Sequence, residues 1–194
     1  SQYQNIQTYL DSHDEDISHI FIELMKFLDN HLFIDKCKNI SSITVFEECI
    51  IKPGVSTDLD DLLHSLQTNN ELFAFIHQLL NDSVRKQDKK DDNNIEYVKI
   101  HNTEKSGATL QITKKRGLLL KSFIQDHNDE EMPNLNGTKW SEIKLCSASG
   151  NADEIEFPFL TKICRDILHQ KEYMNKLIAK SYQHILELIE IEHY

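Results

Sequence analysis

"YVKIHNTEKSGATLQITKKRG", residues 97–117, decides how the rest of the chain is read. "EYVKI" and "ATLQIT" alternate apolar and polar residues, the period of two that turns one face of a strand inward and the other outward. "HNTEKSG" between them supplies polar turn residues and Gly107, so the stretch is expected to form an antiparallel hairpin. It closes on Lys114, Lys115 and Arg116, three consecutive cations expected at a strand end just before Gly117. In a chain of formal net charge −11, such a burst calls for a reason.

The residues on either side change period. Gly107, Gly117, Gly137, Gly150, Pro133 and Pro158 cluster in the middle, and outside that region only "KPG" at Lys52–Gly54 interrupts the pattern. Gly and Pro mark turns and strand ends, so a turn-rich insert lies between helices. A first helix is predicted over 15–34, where Ile17, Ile20, Phe21, Leu24, Leu28 and Leu32 recur at three- and four-residue steps. Asp14, Glu15 and Asp16 suit its positive end. "DSHDED" lacks the glycine and ligand spacing of a calcium loop.

A second helix is predicted from Ser56 or Thr57, with Thr57 and Asp60 as a capping box. Its apolar face continues through Leu59, Leu66, Phe73, Ile76 and Leu80, then fades into the mixed-charge "RKQDKKDDNN". A third starts at Pro158, a favoured first-turn residue. Its stripe from Leu160 to Ile189 spans about 30 residues, or about 45 Å of helix, and needs a partner along most of that length. "WSEIKLC" and "DEIEF" are further candidate strands. The expected fold is α+β, mainly α: two long antiparallel helices with a small antiparallel β-sheet inserted between them. The divisions are 1–55, a helical segment and link; 56–92, the outgoing helix; 93–157, the β-rich insert; and 158–194, the returning helix.

Composition bounds the function. With 194 residues, 39% hydrophobic and 27% charged, the chain can bury a real core. Its acidic balance argues against a protein that coats nucleic acid, so any contact with DNA has to be local. Cys37, Cys49, Cys146 and Cys164 show neither CxxC nor zinc-like spacing and fit a reducing compartment. No membrane span and no secretory leader are expected. The ten histidines form no HExxH motif, there is no GxxxxGK[ST] phosphate loop, and Asp60 and Asp61 read as helix-end charges, so the chain is expected to be no enzyme. "FEE" (Phe46–Glu48) sits in an apolar run and reads as core.

Three stretches carry a resemblance to the DNA mismatch-repair MutS family. "IIKPGVSTDLDDL" (50–62) is similar to the K-P-G-x-x-x-x-L-D string that opens the family's long lever helix. "YVKIHNTEKSGATLQITK" (97–114) resembles the hairpin of its clamp, with Ala108–Thr109 in place of the usual Tyr-Tyr. "EIEFPFLTKICRDILHQKEYMNKL" (154–177) resembles the start of the returning lever. The three occur in the family's order and cover about 45–194.

The resemblance implies a clamp that grips the duplex DNA backbone without reading sequence, and levers that relay motion to an ATPase outside this chain. ATP and Mg are then expected only in that ATPase domain, with no cofactor here. A second MutS-like subunit is the implied protein partner, and the implied setting is intracellular and DNA-associated. Candidate DNA-binding residues are Lys105, Lys114, Lys115, Arg116, Lys144, Ser149 and Asn151. Two readings stay open for the basic triplet, a solvated strand end and a phosphate contact. The alternative for the whole chain is a helical coiled-coil adaptor that binds a protein partner without touching DNA.

Overall fold

The expected hairpin is present in the computed structural model of the chain, which describes residues 19–42, 45–88, 95–103, 107–148 and 150–192. In chain order the elements are α1 (19–31), α2 (Ile34–Cys37), α3 (Thr57–Gln87), β1 (Val98–Thr103), β2 (Gly107–Thr113), α4 (Lys114–Asp126), a 3-10 turn (Trp140–Glu142), β3 (Lys144–Ser147), β4 (Ala152–Glu156) and α5 (Pro158–Glu192). The fold is mixed α+β and mostly helical, with one four-stranded antiparallel sheet flanked by longer helices. Strand order is β1-β2-β4-β3, so the last strand in sequence lies inside the sheet. Val98 stands opposite Ile112, Leu110 opposite Ile155, and Leu145 opposite Ile155 on the other side. No helix among the described residues is long and apolar enough to cross a membrane.

Two compact units divide the chain within α3 and α5 rather than at their ends. His64–Lys171 form the sheet-bearing unit, and the residues up to Leu63 join those from Glu172 onward in the other. In the sheet-bearing unit, Val98, Leu110, Ile112 and Ile155 are buried with Ile76, Leu80 and Val84 of α3 and with Leu120 and Phe123 of α4. Trp140 meets the Phe123 ring edge-on at 4.8 Å between centroids. Asn69 donates to Gln170 at 3.0 Å and Gln170 donates to Ser65 at 2.7 Å, tying α3 to α5 within this unit.

In the other unit, Leu32 and Ile51 form an antiparallel bridge, and Lys52 reaches Asp29 at the end of α1. Phe46 is buried, as expected for core, and its N–H donates to Asn175 at 3.0 Å.

Several expectations require correction. The basic triplet is not a strand end: Lys114, Lys115 and Arg116 form the first turn of α4, a helix the strand-like run concealed. Thr113 ends β2 and caps the helix, its hydroxyl accepting from the Arg116 N–H at 3.4 Å. Gly117, Leu120 and Phe123 then place a buried residue at every third step. "WSEIKLC" is only partly strand, because Trp140–Glu142 turn as a 3-10 helix before β3.

Thr57 is the first helical residue rather than a cap, and Asp60 instead reaches back to accept from the Gly54 N–H at 2.8 Å. Gly54 has φ +88°, which favours glycine at that turn. Leu32, just past α1 at the end of the stripe, goes inward, whereas Ile20 and Phe21 on α1 are 51% and 61% exposed. Residues 15–18 of the first predicted helix lie outside the described residues.

Candidate nucleic-acid interface

The register of the sheet sorts the candidate residues into two groups. β2 ends at Thr113 opposite Ala152, so the first turn of α4 lies beside the β3–β4 turn. The Lys114 N–H donates to the Asn151 carbonyl at 3.0 Å, which fixes that neighbourhood. Lys114, Lys115 and Asn151 are exposed there together, next to Gly150, whose φ of +68° closes the turn. β1 begins at the same end, opposite the last residues of β2, and the C-terminal part of α3 reaches it through Asn81.

Lys144 belongs elsewhere. It opens β3 opposite Glu156, at the end of the sheet that faces the β1–β2 turn, about 10 Å of strand away from Ser147. Around it, Glu142, Glu156, Thr161, Lys162 and Arg165 line an open cavity of about 420 Å³. Lys162 is paired there with Asp166 at 2.6 Å. The structure therefore does not bring Lys144 to the Lys114–Asn151 group. Lys105 and Ser149 lie outside the described residues.

Arg116 faces a different way from its two neighbours. Its Nη1 donates to the Glu96 carbonyl at 2.9 Å, and its guanidinium lies over the Tyr97 ring at 5.0 Å from the centroid. Tyr97 is in turn held on α3: its hydroxyl donates to Asp88 at 3.0 Å, and its N–H donates to the Asn81 side-chain oxygen at 2.8 Å. The same Asn81 oxygen accepts from the Val98 N–H at 2.9 Å. His77 Nε2 lies 2.7 Å from the Val98 carbonyl and 3.5 Å from the Glu96 carboxylate.

Electrostatically, the first turn of α4 is an uncommon arrangement. It holds three cations and no acid at the end of the helix where the backbone dipole is already positive. Each such cation is opposed by about 0.3–1 kcal/mol, so helix stability does not account for them. An anion placed before the turn interacts favourably with the helix end and the side chains alike.

Other chemistry has less support. Among the described residues no group of three or more His, Cys, Asp or Glu side chains could hold a metal ion. Burial pushes the Cys164 thiol up to about 11, the charge of Glu154 adding to it. Cys37 and Cys49 are raised mainly by burial, and Cys146 mainly by its hydrogen bond with Glu156. All four thiols therefore stay protonated near neutral pH.

At pH 8 the higher pKa alone should slow Cys164 alkylation about 100-fold relative to the denatured chain, measured by mass spectrometry. Because the thiol pKa is higher in the fold, its stabilising effect is present below about pH 9 and is lost as pH rises toward 11.

Sequence reasoning missed α4 and the Asn81–Tyr97–Arg116 cluster. Thr113 before residues buried at every third step was a usable signal for α4. Nothing local announced the cluster. Compared with known proteins, the chain matches no family model and no curated protein.

Proposed function

We propose that the sheet-bearing unit binds duplex DNA through backbone phosphates, without reading sequence, in the manner of a MutS-like clamp. In this reading α3 and α5 are the levers that pass motion to an ATPase outside the chain, and a second MutS-like subunit completes the grip. The setting is then intracellular and DNA-associated. One observation carries the reading: exposed Lys114 and Lys115 sit in an acid-free helix first turn beside Asn151 and the β3–β4 turn. That cluster offers two point charges and an amide side chain at the positive end of a helix dipole, while the Lys114 and Arg116 N–H groups are already donated to Asn151 and Thr113. Such contacts position a protein on the backbone and carry no sequence information.

The local character of the patch agrees with a net charge of −11, since a few phosphate contacts need no broad basic face. Binding should be weak and salt-sensitive, with log K falling by about 0.9 per phosphate neutralised for each decade of salt. Fluorescence anisotropy with matched and mismatched duplexes, from low to physiological salt, tests this. Equal binding to both duplexes, weakening with salt, is the expected result.

A second reading is favoured by exposed apolar side chains. Ile20, Phe21, Ile22 and Met25 of α1 are each at least 44% exposed, and Tyr182 and Leu186 of α5 are exposed four residues apart. Such faces fit a helical adaptor that captures a protein partner. Silence toward DNA at low salt, from a chain shown to be folded, would select this reading.

A further inference from the structure

Three cations in a row form a single motif in the sequence and two different devices in the structure. Lys114 and Lys115 are exposed, whereas Arg116 is half-buried and already engaged on both the Glu96 carbonyl and the Tyr97 ring. Few side chains can make that pair of contacts. A guanidinium is planar and offers several N–H donors, so it can lie over an aromatic face while donating in its own plane. An ammonium makes one contact or the other well.

The platform beneath Arg116 is rigid. Tyr97 and Val98 are 1% and 0% exposed, and both backbone N–H groups end on Asn81. Burial and the Asp88 carboxylate raise the Tyr97 phenol pKa, which keeps the hydroxyl a donor.

We infer that Arg116 is a positioning residue: it pins the first turn of α4 to the start of β1, and so sets where Lys114 and Lys115 present their charges. This rests on the phosphate-binding reading above. It goes beyond that reading by separating grip from placement inside one tripeptide. α3 is tied to the same platform through Asn81, His77 and Asp88, so the grip sits at a fixed offset from that helix rather than on a free loop.

The test uses the full chain with Arg116→Lys, Arg116→Ala and Tyr97→Phe, in anisotropy titrations with duplex DNA at temperatures where each is shown to be folded. Positioning predicts that both Arg116 variants bind about three- to tenfold more weakly with an unchanged salt slope, because the phosphate contacts remain but are misplaced. Tyr97→Phe keeps the ring beneath Arg116 but loses the Asp88 hydrogen bond, so it should weaken binding less than either Arg116 variant.

Two results would overturn the inference. One is Arg116→Lys binding like the parent while Arg116→Ala loses about 0.9 of slope, the signature of a direct phosphate contact. The other is parental affinity in both Arg116 variants, which leaves Arg116 a purely structural contact. If the parent chain itself does not bind DNA at low salt, the phosphate reading fails and amide exchange decides the pin separately. Arg116→Lys should speed exchange of the Lys114 and Arg116 amides several-fold, and unchanged exchange there would sink it.

Discussion

Lys114→Glu combined with Lys115→Glu should weaken duplex binding by roughly 10- to 100-fold at 50 mM salt and lower the salt slope by about 1.8. Both side chains are exposed at the first turn of α4 and neither belongs to the buried core. The double variant should even fold slightly better, since carboxylates replace cations at a positive helix end, worth about 0.3–1 kcal/mol each. That opposition of signs makes the experiment informative: DNA binding is expected to fall while thermal stability holds or rises. Lys121→Glu is the control, as it alters charge on the same helix beyond its first turn. Loss of binding equal to that of the double variant in this control would reduce the effect to net charge and remove the local site. Mismatched and matched duplexes should respond alike, because the proposed contacts are to backbone.

Asn81→Leu should destabilise the sheet-bearing unit by about 2–5 kcal/mol. Asn81 is 5% exposed, and its one carboxamide serves two strand N–H groups through its oxygen while its nitrogen donates to the His77 carbonyl. Leucine fills similar space but offers no acceptor, so the Tyr97 and Val98 N–H groups are left buried and unpaired, each at about 1–3 kcal/mol. Asn81→Asp keeps the acceptor and should fall between the two if the carboxyl stays hydrogen-bonded. Urea unfolding followed by fluorescence of Trp140, the single tryptophan and itself buried in this unit, reads the change. An Asn81→Leu midpoint within error of the parent would show that water reaches these amides.

Much of this architecture was legible in the sequence because it was written in period. Alternation in 97–113 gave the hairpin, and the stripe from Leu160 to Ile189 gave α5. α4 was hidden because a strand-favouring run leads straight into three charged residues that carry no periodicity, and Thr113 alone marks the boundary. The site was half legible. Lys114 and Lys115 were found as charges, but pairing register decides which end of the sheet a residue occupies, and that separated Lys144 from Asn151.

Asn81 was illegible for a different reason. A single polar residue late in an amphipathic helix reads as surface, and its partners lie 16 and 17 positions further along the chain. Arg116 was grouped with the two lysines by adjacency, and nothing local announced its contacts with the Glu96 carbonyl and the Tyr97 ring.

The placement of β4 between β2 and β3 has a mechanical consequence. Only Phe157 separates β4 from α5, so tension on that helix is delivered to an interior strand. Extracting it requires rupturing ladders on both flanks at once, whereas an edge strand such as β1 or β3 can be peeled from one side. The sheet therefore resists best a load applied through the start of α5, and such a load would move the sheet as a body before unzipping it.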